Sequence, residues 1–312
     1  VKNLWERLAA LRAVFLGEAD GRRSDYWDDE ELLDAYDRFF GERIRCKWRA
    51  VLDDAKRRGF DVPRGARVVD WGCGTGVAAR AFLDAYPDRG ATIVLFDRSW
   101  RATRFAARRC ADRAVVDPVV VAPDLSDALV LLSHVANELD AIGAERLVES
   151  LRTARAVIWV EPGTPEASAT LVGVREQLRR SFHIVAPCTH RERCGTLAPE
   201  NARHWCHFFA PPDPGVFQSA EWRQFSERLR VDLRSLPTSF LVLDREAPPW
   251  AAPGSLRIVG RARVYNGYAT FLACGAAGLR EEKLRKRDDP KRWKRFREAA
   301  FADYGEPVPL PE

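Results

Sequence analysis

The stretch VVDWGCGTG (68–76) constrains this 312-residue chain more than any other. A short β-branched run ends in Asp70 and Trp71, then Gly72, Gly74 and Gly76 stand two apart, and the helical pattern VAARAFLDAY (77–86) follows. Glycine lets a backbone turn sharply and approach a ligand where a Cβ would clash. In a strand–loop–helix unit such a loop commonly receives a pyrophosphate at the helix N-terminus. Asp70 at the strand end disfavours a phosphate and suits a ligand that carries an amino group.

The flanking pattern supports the same unit. TIVLFD (92–97), AVVDPVVVA (114–122), ALVLLSH (128–134) and AVIWVEP (156–162) read as strands, with helical segments between them, and HIVAP (183–187) reads as a further strand. Apolar strands alternating with helices predict a parallel sheet covered on both faces. Asp97 ends the second strand, placed to bind the two hydroxyls of a ribose. Asp124 follows the third, within reach of an adenine edge in this topology. These motifs resemble the first three of the class I S-adenosylmethionine-dependent methyltransferases over roughly 60–187. The resemblance implies that the Gly72–Gly76 loop packs on the methionine moiety, Asp97 holds the ribose, and Asp124 and Leu125 flank the adenine.

Before and after that sheet the patterning changes. Residues 1–60 read as helical, with apolar periodicity in LWERLAALRAVFL and in the run from DDEELL to about residue 59. Beyond 217, AEWRQFSERLR reads as a helix, and SFLVLDR, LRIVGRARVY and YATFLACG read as strands. Asn266-Gly267 signals a hairpin between the last two. PPDPG (211–215) and REAPPWAAPG (245–254) are Pro-rich connections. No repeat or low-complexity tract is present.

No apolar run approaches the roughly 18 residues of a membrane span, so no membrane partner is expected. The opening stretch carries Glu6 and Glu18 among its basic residues, lacks the apolar core of a signal peptide and reads as an amphipathic helix, with a transit peptide the less favoured alternative because such segments are poor in acids. Seven cysteines without a secretory signal predict a reducing compartment. In a bacterium that compartment is expected to be the cytoplasm. The net charge of +5 is concentrated in 280–297, where ten Lys and Arg face four acids. Such a run is either a solvated helix face or a nucleic-acid contact, with Arg292, Lys294 and Arg295 on phosphates and the interleaved Trp293 and Phe296 stacking on bases.

The region after the fourth strand, SHVANELD (133–140), is where this fold faces a methyl acceptor. It lacks the Asn/Asp-Pro-Pro-aromatic motif of amino-group methylases, and no catalytic base is identified. Asn137 and Glu138 either orient an acceptor or cap the next helix. Pro187-Cys188 offers the thiolate of a cytosine-C5 methylase, but after the wrong strand and beside further cysteines.

Those cysteines lie in APCTHRERCGTLAPENARHWCHFF (186–209), where Cys188, Cys194 and Cys206 are interspersed with His190, His204 and His207. The spacing does not match paired C-x2-C knuckles, yet three soft ligands so close favour metal binding over free thiols. A closed site needs a fourth ligand, either one of the histidines or the distant Cys274. Cys46, Cys73 and Cys110 read as structural.

The glycine loop, the VEPGTP-like fifth strand, APC-x5-C and the WCHF block together resemble the mitochondrial small-ribosomal-subunit methyltransferase-like proteins and their bacterial relatives, over roughly 25–304. The resemblance implies that Cys188, Cys194, Cys206 and Cys274 bind a [4Fe–4S] cluster, with zinc the alternative. It also implies that small-subunit ribosomal RNA is the partner. The expected fold is therefore α/β, a Rossmann-like methyltransferase sheet with three additions. These are an N-terminal helical segment (1–60), a cysteine-rich metal-binding insertion (188–217) and a small C-terminal β-rich extension with a basic tail (218–312), around a cofactor domain at 61–187. A monomer is expected. Three functions compete: an rRNA methyltransferase, a non-catalytic ribosome assembly factor that only binds the cofactor, and a zinc-containing methylase of a small molecule or protein.

Overall fold

The computed structural model describes residues 3–16, 27, 29–246 and 254–298. Most of the Pro-rich connection at 245–254, part of the opening amphipathic stretch and the last residues of the expected C-terminal extension lie outside them. In chain order the elements are α1 (Leu4–Phe15), α2 (Glu30–Tyr36), α3 (Glu42–Arg57), β1 (Arg67–Trp71), α4 (Val77–Ala85), β2 (Thr92–Phe96), α5 (Trp100–Cys110), β3 (Val115–Val119), β4 (Leu129–Ser133) and α6 (Ala141–Leu151). There follow β5 (Ala156–Pro162), α7 (Pro165–Leu178), β6 (His183–Ala186), β7 (Phe208–Ala210), α8 (Ala220–Leu229), β8 (Leu236–Asp244), β9 (Arg257–Val264), β10 (Tyr268–Gly275), β11 (Gly278–Arg285) and α9 (Pro290–Glu298). They divide into two compact units, one of residues 1–53, 61–160 and 212–234, the other of 54–60, 161–211 and 235–312.

The first unit is built on parallel strands in the order β3-β2-β1-β4-β5. Four of these strands are buried along most of their length, which is why their sequences read as continuous apolar runs. β3 is the edge strand and accommodates Pro118 there, where a missing N–H donor costs no ladder bond. Strand order reverses between β1 and β4, so the crevice beyond their carboxyl ends is the place where this architecture binds ligands. The N-terminal helices pack Leu8, Leu11, Leu32, Leu33 and Phe39 with Phe105 of α5 and Phe225 and Leu229 of α8. A π-helical turn, Asp37–Gly41, joins α2 to α3, and Asp37 pairs with Arg80 of α4. That pair ties the helical segment to the helix that follows the glycine loop.

In the second unit β8 pairs antiparallel with both β6 and β7, and the small C-terminal sheet consists of β11-β10-β9. Asn266-Gly267 does form the turn between β9 and β10, closed by Tyr265 N–H donating to the Tyr268 carbonyl at 2.8 Å. The basic run departs from its reading as one solvated helix. Its first six residues belong to β11, fully paired with β10, and only Pro290–Glu298 is helical. Trp293 and Phe296, expected to stack on bases, instead fill the apolar cluster between α9 and the sheet with Ile258, Ala269, Phe271 and Leu284. Their burial gains more than exposure on a flexible segment would, because each removes a large aromatic area from water. Elsewhere in this unit, buried Asp54 accepts from Arg58 Nε at 2.9 Å and Arg257 Nη1 at 3.0 Å.

Candidate cofactor loop and cysteine site

β1 delivers the chain into the glycine loop with Gly72, Gly74 and Gly76 all at left-handed φ, between +51° and +76°. A Cβ at Gly72 would stand 2.6 Å from Val135 Cγ1, and one at Gly76 2.8 Å from Ala106 Cβ. Both therefore need glycine for conformation and for space. The N–H groups of Gly72 and Cys73 each donate to the Phe96 carbonyl at 2.8 Å. Asp97, nearly buried, uses one carboxylate oxygen to accept from Gly74 N–H and the other from Ser99 N–H, each at 2.9 Å. It thus braces the loop against the start of α5.

Asp70 is fully buried. Its Oδ2 accepts from Ala79 N–H at 3.0 Å in the first turn of α4, while Oδ1 and the hydroxyl of Thr75 have no partner among the described residues. Burial, reinforced by the nearby Asp97 charge, pushes the Asp70 carboxyl up to about 7. Asp124 is exposed and folded back on Ser126, accepting from its N–H at 3.2 Å and its hydroxyl at 2.9 Å, bonds that hold its carboxyl below the usual range. Leu125 beside it is buried in the core.

The end of β4 holds groups that sequence reasoning passed over. His134 has left-handed φ (+58°), an uncommon conformation for a side-chain-bearing residue, and its Nε2 lies 3.5 Å from Lys47 Nζ. Burial and the Lys47 charge hold its imidazole well below the usual range, so it is neutral. The neighbouring Ser133 hydroxyl accepts from Trp48 Nε1 at 2.9 Å. The only legible signal was a histidine at a strand end, because neither the backbone strain nor a lysine 87 residues earlier can be read locally. Asn137 and Glu138 sit in a short 3-10 turn, and the cap of α6 is Asp140, whose carboxylate accepts from Gly143 N–H at 2.7 Å. The capping role offered to Asn137 is thereby corrected.

In the second unit the four sequence-singled cysteines come together around a buried arginine. Arg175 of α7 donates through Nε to Cys188 Sγ at 3.2 Å and through Nη2 to the His190 carbonyl at 3.0 Å. Its neighbour Glu176 pairs with it and accepts from Cys194 N–H at 3.1 Å. Cys206 precedes β7, with its N–H donating to the Ser168 hydroxyl and its carbonyl accepting from Ser239. Cys188, Cys194 and Cys206 line one small cavity of about 20 Å³ with Arg175, Ser168 and Phe240. Cys274, on β10, takes a hydrogen bond from Gly195 N–H, and its sulfur lies 3.9 Å from His190 Nε2.

The loop is held without relying on an apolar core. Asn201 Nδ2 donates to the carbonyls of Gly195 at 2.9 Å and Leu279 at 3.0 Å, stitching 195–201 to the β10–β11 hairpin. Thr189 Oγ1 donates to the Ser255 carbonyl at 2.8 Å. Burial raises the thiols of Cys188, Cys206 and Cys274, the last to about 12, with mutual repulsion among the sulfurs adding to it. Cys188 is therefore no activated nucleophile, which counts against the cytosine-C5 reading. Burial lowers His190 to about 4. His204 accepts from Arg203, and His207 stacks on Trp205 with ring centroids 4.6 Å apart. Among the described residues no three Cys, His, Asp or Glu side chains converge closely enough to hold a single metal ion. Cys46, Cys73 and Cys110 are buried, as structural thiols would be.

Two solved structures align with the chain at low similarity. The plantazolicin methyltransferase BpumL, in complex with S-adenosylhomocysteine, is 13% identical with a TM-score of 0.41, covering 77% of this chain and 98% of that one. The magnesium protoporphyrin IX methyltransferase of Synechocystis is 11% identical with a TM-score of 0.40, covering 78% of this chain and 96% of that one. No curated protein matches the chain. A family model does, over residues 47–308, and it takes in both the glycine loop and all four clustered cysteines. With its glycine loop and its clustered cysteines both inside the matched region, the chain belongs to the family of the mitochondrial small ribosomal subunit protein Rsm22.

Proposed function

We propose that the chain is an S-adenosylmethionine-binding protein that acts on or binds small-subunit ribosomal RNA in ribosome assembly or translation. The observation that carries the cofactor is the glycine loop braced by Asp97, with unpartnered Asp70 Oδ1 and Thr75 Oγ1 beneath it. Gly72, Gly74 and Gly76 leave room for the methionine moiety, and the carboxylate of Asp97 at the end of β2 is an acceptor of the kind that a ribose diol requires. Asp124, already satisfied by Ser126, contributes to the adenine side through its position alone, beside Leu125. The ribosomal partner rests on the family. Arg292, Lys294 and Arg295 of α9 supply phosphate contacts, the last two from exposed positions. On this reading the protein works in the mitochondrion of a eukaryote or the cytoplasm of a bacterium, and no described helix is long and apolar enough to cross a membrane.

The same reading gives Cys188, Cys194, Cys206 and Cys274 a [4Fe–4S] cluster. Four sulfurs form the donor set, and N–H groups of Arg175 and Gly195 already point at two of them, as expected where thiolate charge must be offset. A single zinc has less support, because no three ligands converge at single-ion spacing. When bound, a cluster would supply redox chemistry or a covalent tie between the loop and β10. The chain's own residues would orient the sulfurs and exclude water.

The competing reading, a factor that holds the cofactor without turnover, is favoured by one feature. The only imidazole at the β4 end, His134, lies beside an ammonium, and SHVANELD carries no amino-methylase motif. Calorimetry with S-adenosylmethionine and S-adenosylhomocysteine tests the cofactor, one saturable site being expected. Absence of heat with both ligands would sink the proposal. Methyl-labelled cofactor incubated with small-subunit RNA then separates enzyme from factor.

A further inference from the structure

The small C-terminal sheet has two unlike faces. One packs Ala269, Phe271 and Leu284 against α9. The other is set by the strand register, which pairs Tyr268 with Arg285 across β10–β11, and Thr270 with Arg263 on one side and Lys283 on the other. Tyr265 closes the hairpin opposite Tyr268, and their rings stack with centroids 4.6 Å apart at an interplanar angle of 22°. The ammonium of Lys283 lies 4.2 Å from the Tyr268 ring centroid. Two adjacent rows therefore read Tyr265–Tyr268–Arg285 and Arg263–Thr270–Lys283. They hold three cations and no carboxylate, and the first acid on this face, Glu281, comes one row further along.

This face is open. Tyr265 is 45% exposed, Arg263, Lys283 and Arg285 are exposed, and Arg263 and Arg285 form no ion pair among the described residues.

We infer that the Tyr265–Tyr268 face of the small sheet, with Arg263, Lys283 and Arg285, is a platform for unpaired bases of single-stranded RNA. The inference rests on the ribosomal RNA reading above and places base contact on the sheet, opposite the helix whose aromatics are buried. The chemistry favours nucleic acid over an acidic peptide. A ring stack with cations in the same and the next row, about 7 Å along the strand, offers π-faces to bases and charges to the backbone between them. An acidic segment would use the charges and leave the rings uncovered. A duplex keeps its bases stacked internally and cannot use the rings.

The test uses the full chain with a fluorescent single-stranded RNA decamer and a hairpin duplex of equal charge, read by anisotropy. Tyr268→Ala is expected to weaken single-strand binding roughly 5- to 100-fold, the range for loss of one base–aromatic stack, and to change duplex binding little. Tyr268→Phe keeps the ring and should restore affinity to within about twofold, since stacking needs no hydroxyl. Arg263→Gln, on an exposed position that cannot compromise folding, should weaken the single strand and flatten its salt dependence. If wild type binds the single strand and both Tyr268→Ala and Arg263→Gln bind it equally well, the platform is wrong while the RNA reading stands. Equal losses for duplex and single strand would likewise overturn it, leaving a general polyanion surface. Failure of wild type to bind either RNA would remove the RNA reading and the platform with it.

Discussion

Asp97 is both the expected ribose ligand and the brace of the loop that would receive the methionine moiety. Asp97→Ala is therefore expected to lose at least the roughly 1.5–3 kcal/mol of a charge-assisted acceptor in cofactor binding. It should also loosen the loop, because Gly74 N–H loses its partner. Unchanged calorimetric affinity in the variant would remove Asp97 from the site. Asp70 makes a separate prediction in the ligand-free protein. Its carboxyl is raised to about 7, so the folded state binds a proton more tightly than the unfolded chain. Stability should then fall as pH rises from about 4 to about 7, and the penalty should be complete above that. Asp70→Asn keeps an acceptor for Ala79 N–H and should remove this slope, stabilising the protein at pH 8 by at most about 4 kcal/mol. Parallel pH–stability curves for wild type and variant would show that Asp70 ionises normally.

At the scale of elements, the 186–209 stretch is an insertion carried by side chain-to-backbone bonds and pinned to the β10–β11 hairpin through Asn201. A cluster on its three cysteines and Cys274 would add a tie to the same hairpin, coupling metal loading to order in the loop. Cys274→Ser, purified anaerobically, is expected to lose the brown chromophore and to expose 186–209 to protease. One bound zinc per chain, retained in Cys274→Ser, would instead establish a local site that includes a histidine such as His190. The hairpin also shows why local patterning misread the basic run. REEKLR has good helix formers, but pairing with β10 along its whole length overrides that preference and makes it β11.

At the scale of the molecule, the positive charge lies on α9 and the small sheet, all within the second unit. If α9 contacts phosphates, RNA affinity should fall with salt at about 0.7 log units per log salt for each phosphate neutralised on a single strand. Replacing Arg292, Lys294 and Arg295 together with Gln should reduce that slope by up to about 2. An identical slope in the triple variant would leave the segment a solvated face. This experiment addresses the backbone contacts of α9, whereas the tyrosine variants address bases, so the two surfaces are separable.

Residues 68–76 and the apolar runs after them were sufficient to read the parallel sheet and the glycine turn between β1 and α4, whereas the bracing role of Asp97 was not read. Those features are local: a left-handed turn demands glycine, a strand buried on both faces demands an unbroken apolar run, and both can be read in a window of ten residues. The family could also be read in the spacing of its cysteines and its EPGTP and WCHF blocks. Other features were decided only by tertiary contact. Arg175 became the partner of Cys188 because α7 and the loop after β6 pack together. His134 acquired its strained backbone and its lysine from a helix far earlier in the chain. Trp293 and Phe296 turned inward because α9 found an apolar sheet face to cover, while Tyr265 and Tyr268 were left outside on the opposite face. Strand register determines which side chains share a face, and a register between segments is not encoded within any one of them.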